Sequence, residues 1–225
     1  PKAEAGQVEP VQIERELIAP APAAVEAPAA SSPVADNGAA FRAIKEALRE
    51  GVQAVSAPQL FPTPVSLARR MVAEADIRAG DTVCEPQAGT GRILAAIREN
   101  AHPEITLTAV EIRQDLCGAL RQREAADAIF CADFLNWRPS DGRKFTRILM
   151  NPPFERGQDI QHIQHALTLL DDGGKLVAVC ANGPKQNEVL RPLVEQRGGL
   201  WEVLPAGTFD ESGTGVNTVL LKLAA

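Results

Sequence analysis

Residues 81–91 read Asp-Thr-Val-Cys-Glu-Pro-Gln-Ala-Gly-Thr-Gly, an apolar run followed by two closely spaced glycines. A short apolar run over 81–86 predicts a strand, and helical spacing of apolar residues from Gly91 to Asn100 predicts a helix. Gly89 and Gly91 have no Cβ, so the backbone between strand and helix can turn sharply and approach a ligand closely. Open α/β sheets bind ligands outside the carboxyl ends of their strands. The stretch therefore predicts a binding turn in an α/β domain.

The same alternation of strand and helix continues along the chain. Helices are predicted over 64–75, 91–100, 113–126, 160–170 and 186–196, and strands over 81–86, 105–111, 128–134, 146–154, 175–181, 200–209 and 214–223. Strands that alternate with helices imply a parallel sheet covered on both faces. No helix separates the last two strands, so we expect them to pair as a hairpin that makes one strand antiparallel.

The chain divides into three parts by composition. Residues 1–38, rich in Ala, Pro, Val, Glu and Ser, are predicted to be a flexible tail or linker, because they bury too little apolar surface to offset chain entropy. Residues 39–57 are predicted to form an amphipathic helix and connector, with Phe41 and Ile44 on one stripe. Residues 58–225 are predicted to form the folded domain.

Charge and cysteine content restrict the class of protein. The formal net charge of −6 excludes a uniformly basic surface, so a nucleic-acid contact needs a local patch. Trp137, followed by Arg138, Arg143, Lys144 and Arg147, is the best candidate patch, with a plain solvated loop as the alternative. The four cysteines show no Cys-x-x-Cys spacing, which favours reduced thiols in a cytoplasmic protein. No apolar run is long enough to predict a membrane span.

Two acids at strand ends identify the kind of cofactor. Glu111 ends the second predicted strand, where an acid accepts hydrogen bonds from both ribose hydroxyls of an adenosine-containing cofactor. Asp133 ends the third, where a carboxylate can accept from an adenine amino group while the Phe134 ring packs against the base. The glycine turn lacks the phosphate-loop ending, and Leu94 replaces the third glycine of a dinucleotide site. S-adenosylmethionine, which has ribose and adenine but no phosphate, fits best.

The fourth predicted strand ends in Asn151-Pro152-Pro153-Phe154. Neither proline has an N–H, so the strand cannot continue to pair and the backbone is fixed in one shape. This geometry leaves the Asn151 amide and the Pro152 carbonyl as acceptors that can grip both hydrogens of an exocyclic amine and stabilise its developing charge. The Phe154 ring can stack on the base. The turn therefore indicates methyl transfer to a planar amino group.

With these motifs, residues 60–223 resemble class I methyltransferases that modify amino groups, close to bacterial and phage adenine-specific DNA methyltransferases. Phe61-Pro62-Thr63-Pro64 resembles the N-terminal cofactor-contacting element of that family, with Phe61, Thr63 and Pro64 expected to contact the cofactor. The other positions that match the family's cofactor motifs are Glu85, Pro86, Ala88, Gly89, Gly91, Glu111, Ile112, Asp133, Phe134 and Asn151. Asn151 to Phe154 match the catalytic turn, and Phe209 lies in the loop that covers the target base in that family.

The resemblance implies a Rossmann-like, doubly wound α/β fold with a seven-stranded, mostly parallel sheet of order 3-2-1-4-5-7-6 and an antiparallel last strand. The resemblance assigns residues 58–225 to the methyltransferase domain. The partner it implies is nucleic acid, and DNA in particular, as in restriction-modification systems. No recognition domain follows the last predicted strand, so target specificity is expected from a missing domain, a separate subunit or short loops. Gln87 departs from the family by replacing a small residue.

Three other functions remain open at this point. The same turn serves RNA base amines, and a protein glutamine amide is also a planar, weak nitrogen nucleophile. A non-catalytic, cofactor-binding subunit of a larger complex is the third. No metal site is expected, because His162 and His165, at i and i+3 of a predicted helix, lack a third ligand and are interpreted as solvated helix surface.

Overall fold

The computed structural model describes residues 61–225, so the predicted tail (1–38) and amphipathic helix with its connector (39–57) lie outside the described residues. Five helices are described: α1 (Val65–Ala75), α2 (Arg92–Asn100), α3 (Gln114–Gln122), α4 (Gln158–Leu169) and α5 (Pro184–Gln196). Seven strands are described: β1 (Thr82–Glu85), β2 (Thr106–Glu111), β3 (Ala128–Cys131), β4 (Phe145–Met150), β5 (Leu170–Ala181), β6 (Leu200–Val203) and β7 (Thr218–Ala224).

The strands form one sheet of order β3-β2-β1-β4-β5-β7-β6, which confirms the predicted order. Strands β1 to β5 pair in parallel, whereas β7 lies antiparallel between β5 and β6. Helices alternate with the parallel strands, as the sequence predicts. This arrangement brings the carboxyl ends of β1, β2, β3 and β4 to one edge of the sheet, where the predicted site motifs begin.

Strand β5 begins earlier than predicted. The helix predicted over 160–170 and the strand predicted over 175–181 leave Gly173 and Gly174 between them, but β5 starts at Leu170, directly after α4. The pairing with β4 shifts register between Phe145 and Arg147, and Gly173 has φ 74°, so the glycines occupy a bulge within the strand. Strand β6 ends at Val203 and is shorter than the predicted 200–209 strand.

The core consists of two clusters that involve opposite faces of the sheet. Successive β4 residues divide between them, with Leu149 in one cluster and Ile148 and Met150 in the other. Helices α1 and α2 belong to the first cluster, and α4 and α5 to the second. Near-continuous burial along β4 and β5 is what a parallel sheet covered on both faces requires.

Arg147 is a structural residue and no part of a basic nucleic-acid patch. Its side chain is 8% exposed and donates to the carbonyl oxygens of Ala75 (2.8 Å) and Asp76 (3.1 Å), which end α1. Its guanidinium also lies 3.4 Å from the Asp81 carboxylate. Trp137, from the same predicted patch, is half-buried and stacks at 6.3 Å on Phe145.

We expect Arg147→Met to lower the free energy of unfolding by about 3–5 kcal/mol, because it leaves the buried Asp81 carboxylate without its opposite charge and two helix-end carbonyls without their donor. Urea denaturation of both proteins measures this difference. Arg143→Met is the matched control, since Arg143 pairs with Asp141 at the surface and such pairs contribute about 0–1 kcal/mol. Equal effects of the two substitutions would contradict the structural role of Arg147.

Candidate active site

A cleft of about 600 Å³ opens at the carboxyl ends of β1 to β4. The predicted site residues that line it are Phe61, Thr63, Glu85, Pro86, Ala88, Gly89, Glu111, Ile112, Asp133, Phe134, Asn151, Pro152, Pro153 and Phe154. Pro64, Gly91 and Phe209 lie outside the lining. The fold therefore gathers motifs spread over more than ninety residues around one cavity, as expected for a doubly wound sheet.

The glycine turn (residues 86–91) is held by Glu111 at the end of the neighbouring strand. The Gly89 N–H donates to Glu111 Oε2 at 2.7 Å, and the Arg113 N–H donates to Oε1 at 2.8 Å. Glu111 is 6% exposed, so its carboxylate forms part of the cleft wall. Gly91 has φ 79°, and a Cβ there would meet the Leu120 side chain at 2.8 Å. Gly91 thus permits the turn by its shape without lining the cleft.

Glu85 places a buried carboxylate at the base of the cleft. The residue is 2% exposed, and its Oε2 has no hydrogen-bond partner among residues 61–225. Burial raises the pKa of this carboxyl well above its ordinary value, the Leu94 backbone opposes the shift, and the Glu111 charge adds to it. A buried carboxyl oxygen without a partner lowers the free energy of unfolding. The site therefore favours a ligand that brings a positive charge or a hydrogen-bond donor.

The third strand end contributes an acid and an aromatic ring. Asp133 accepts hydrogen bonds from the Leu135 N–H (3.0 Å) and from Asn136 Nδ2 (2.7 Å), which fix its carboxylate at the start of a helical turn. Phe134 is 3% exposed and lines the cleft. Ile112, which follows Glu111 at the end of β2, lines the cleft and has 58% of its surface exposed. Its apolar side chain can therefore contact a ligand and takes no part in the core.

The proline turn (residues 151–154) presents one side-chain oxygen in a fixed position. The Asn151 amide nitrogen donates to the Phe61 carbonyl (3.2 Å) and to Thr63 Oγ1 (3.0 Å). Because the Phe61 carbonyl can only accept, the amide must turn its nitrogen toward that segment and its oxygen away. Asn151 Oδ1 is buried and makes no hydrogen bond within the described part of the chain. A hydrogen-bond donor on a ligand would satisfy it.

The segment that orients Asn151 is itself anchored on two sides. Arg92 at the start of α2 donates to the Thr63 carbonyl at 3.2 Å. Ser212 Oγ donates to the Pro62 carbonyl at 2.6 Å from the loop between β6 and β7. Pro64 is the residue before α1, so it ends this segment instead of contacting the cavity.

Phe209 packs behind Phe154 and away from the cleft. The Phe209 side chain has no exposed surface, and its ring meets the Phe154 ring edge-on, with centroids 5.9 Å apart and planes at 88°. Edge-to-face pairs of this kind are stabilising and directional. Phe209 is therefore placed to hold the Phe154 ring, which itself lines the cleft.

His162 lines the cleft, although the sequence interpretation assigned it to solvated surface. It is 8% exposed, and its Nδ1 lies 2.6 Å from Nε2 of Gln87. Burial lowers the pKa of the imidazole, against the opposing effect of Asp133. The signal was present in the sequence, because Asp159, His162, Ile163 and Ala166 form one buried helical stripe with the spacing i, i+3, i+4 and i+7.

Within residues 61–225, no group of three or more His, Cys, Asp or Glu side chains is arranged to hold a metal ion. In the same range, no helix is long and apolar enough to cross a membrane.

Comparisons with known proteins agree with this geometry. The family model described as methyltransferase small domain matches residues 67–200, which is more than half of the chain. A comparison with curated proteins gives no match.

Solved structures share the fold at low sequence identity. A modification subunit assigned to a type I restriction enzyme from Vibrio vulnificus YJ016 aligns with a TM-score of 0.57 and 19% identity, over 83% of this chain and 49% of that chain. A dimethyladenosine transferase from Plasmodium falciparum aligns with a TM-score of 0.56 and 16% identity, over 73% of this chain and 62% of that chain. A protein from Listeria monocytogenes, assigned as a class I S-adenosylmethionine-dependent methyltransferase, aligns with a TM-score of 0.55 and 14% identity, over 81% of this chain and 66% of that chain.

The chain spans about half the length of the restriction-enzyme subunit. At these identities the likeness establishes the fold, and the family model establishes the family. The chain belongs to the methyltransferase small domain family and has the fold of class I S-adenosylmethionine-dependent methyltransferases.

Proposed function

We propose that this protein methylates the exocyclic amino group of adenine in DNA. The observation that carries the proposal is the buried Asn151 Oδ1, which has no partner among the described residues and is fixed in orientation by the two hydrogen bonds of its amide nitrogen. A lone acceptor in a cleft is suited to an N–H donor of the substrate.

The residues around the cleft fit S-adenosylmethionine, whose sulfonium supplies an electrophilic methyl group when bound. Glu111 is the acceptor for the ribose hydroxyls, and the exposed Ile112 and the Phe134 ring enclose the adenine. Asp133 accepts from the adenine amino group. Glu85, with its unpartnered oxygen in the described region, holds the cationic amino-acid end. The glycine turn allows close approach of the backbone.

The proline turn prepares the target nitrogen. The lone pair of an aromatic amine is delocalised into its ring, so the amine attacks poorly when it is planar. Asn151 Oδ1 and the Pro152 carbonyl accept its two hydrogens, draw the nitrogen out of plane and stabilise the positive charge that develops on it. Because both acceptors are fixed before the substrate arrives, little reorganisation is needed in the transition state.

Phe154 stacks on the base and sets its plane, and Phe209 holds the Phe154 ring from behind. This assignment replaces the expected direct contact of Phe209 with the base, since Phe209 has no exposed surface. An extruded base that stacks on a rigid ring stays aligned with its two acceptors.

Two observations support nucleic acid as the substrate class. The motif resembles adenine-specific DNA methyltransferases, and the chain shares its fold with a restriction-enzyme modification subunit and with a dimethyladenosine transferase. An RNA base amine is the alternative substrate, because the same turn serves such amines.

The substrate is tested by incubating the protein with S-adenosylmethionine labelled in its methyl group and then separating DNA, RNA and protein from a mixed pool. We expect label in DNA. Label in RNA alone favours the RNA alternative, label in protein favours a glutamine methyltransferase, and cofactor binding without transfer to any pool favours a non-catalytic subunit.

Asn151→Ala is expected to slow methyl transfer by about 10²–10³-fold, because it removes one preorganised acceptor from the transition state. Affinity for S-adenosylhomocysteine should change much less, since the lost contact is to the substrate. Single-turnover transfer to adenine-containing DNA gives the rate, and calorimetry gives the affinity.

The matched control is Asn187→Ala. Asn187 is also a half-buried amide, but it bonds to Asn182 and to the Gly183 carbonyl on α5, outside the cleft. It should leave transfer unchanged. A wild-type rate in Asn151→Ala would show that the proline turn is not catalytic.

Glu111→Ala is expected to weaken S-adenosylhomocysteine binding by more than about tenfold, because ribose hydrogen bonds to a carboxylate contribute about 1.5–3 kcal/mol each. Asp115→Ala, which removes a well-exposed acid paired with Arg113, should leave the affinity unchanged. Calorimetric titration compares the two variants. Unchanged affinity in Glu111→Ala would remove the ribose assignment.

Glu85→Gln is expected to stabilise the protein without cofactor while weakening cofactor binding. The pKa of Glu85 is raised in the folded state above its ordinary value of 4.5, so the folded wild type resists losing the proton that the unfolded chain releases. The wild type therefore loses stability relative to the variant as pH rises above about 4.5. Melting temperatures of both proteins between pH 4 and 8 measure this, and a gap that does not widen with pH would contradict it.

A further inference from the structure

The glycine turn and the helix that follows the proline turn are joined by one side-chain hydrogen bond. Gln87 Nε2 and His162 Nδ1 lie 2.6 Å apart, although the residues are 75 positions apart in sequence. Gln87 belongs to the glycine turn, and His162 lies in the second turn of α4, which begins four residues after Phe154. Both side chains line the cleft.

The surroundings hold His162 in its neutral form. Burial lowers the pKa of the imidazole, and His165 on the same helix lowers it further, whereas Asp133 acts in the opposite direction. The Phe134 ring covers one side, with centroids 6.0 Å apart. A neutral imidazole with its proton on Nε2 can accept at Nδ1, so the Gln87 amide is the donor.

We propose that the hydrogen bond between Gln87 and His162 is the joint that fixes the cofactor side of the cleft relative to the catalytic side, and that His162 is a positioning residue for S-adenosylmethionine. The inference rests on the proposed cofactor site. The hydrogen bond explains why glutamine occupies position 87, where a small residue was expected. Only a long amide side chain can reach from the glycine turn to His162 on α4. No other side-chain hydrogen bond in the described residues joins the glycine turn to α4.

The joint has a definite consequence for binding. Without it, the glycine turn keeps its contact to Glu111 but loses its attachment to α4. The part of the turn around Gln87 must then be positioned when the cofactor binds, and this ordering reduces affinity. A neutral hydrogen bond between partly buried groups contributes enough to change affinity by about three- to tenfold.

The test is a double-mutant cycle with S-adenosylhomocysteine as the probe, measured by calorimetry. Gln87→Leu and His162→Phe each remove one partner and keep an apolar side chain of similar size. We expect each single variant to weaken binding about three- to tenfold, and the double variant to weaken it no further than the weaker-binding single variant. Losses that multiply in the double variant, or unchanged affinity in the singles, would overturn the joint.

Two further variants separate positioning from general stability. His102→Phe removes a histidine after α2, whose Nδ1 accepts from the Glu104 N–H at 3.1 Å and which lies outside the cleft lining, and it should leave affinity unchanged. His162→Asn restores an acceptor near the position of Nδ1 and should recover most of the wild-type affinity. Equal losses in His162→Phe and His102→Phe, or no recovery in His162→Asn, would contradict the proposal.

The same titration distinguishes failure of the joint from failure of the proposed function. If the wild-type protein binds S-adenosylhomocysteine and the cycle shows no coupling, the joint is wrong and the cofactor assignment stands. If the wild-type protein does not bind the probe, the proposed cofactor site itself is wrong.

Discussion

The two hydrogen bonds from the Asn151 amide nitrogen to Phe61 and Thr63 decide what the cleft can do. They hold the side-chain oxygen in a buried position where no group of residues 61–225 satisfies it. A buried acceptor without a partner costs about 1–3 kcal/mol, which folding tolerates when a ligand repays it. The constraint passes outward, because Arg92 and Ser212 hold the segment that holds Asn151. The geometry of the proline turn therefore depends on a segment that precedes the first strand.

The cofactor side of the cleft also contains a buried oxygen without a partner in the described residues. Glu85 and Glu111 lie in one wall of the cleft, and the charge of Glu111 adds to the effect of burial in making Glu85 harder to ionise. Glu111 uses one oxygen to hold the glycine turn and the other to accept from the Arg113 N–H, whereas Glu85 keeps one oxygen without a partner in the described chain. A buried carboxylate that is unfavourable on its own becomes favourable beside a cationic ligand. Glu85 thus favours ligand binding at a cost in folding stability, whereas the hydrogen bonds of Glu111 favour both the folded state and the shape of the cleft.

Much of the fold could be predicted because it depends on patterns of short range. The glycine turn after an apolar run, the acids at strand ends and the two prolines after β4 each define local geometry, and a parallel sheet then brings the strand ends together. Long-range packing could not be read in this way. The bulge at Gly173, the burial of Phe209 behind Phe154 and the structural use of Arg147 all depend on neighbours distant in sequence. His162 was missed for a related reason, since its apolar stripe was visible but its partner Gln87 was not.

Whether the proline turn binds an exocyclic amine, as proposed, is decided by the position of the transferred methyl group. After reaction with duplex DNA, enzymatic digestion and mass spectrometry of the nucleosides identify the methylated atom. We expect N6-methyladenine. Methyl on a ring nitrogen or a ring carbon would contradict it, because those atoms carry no pair of hydrogens for Asn151 and Pro152 to accept.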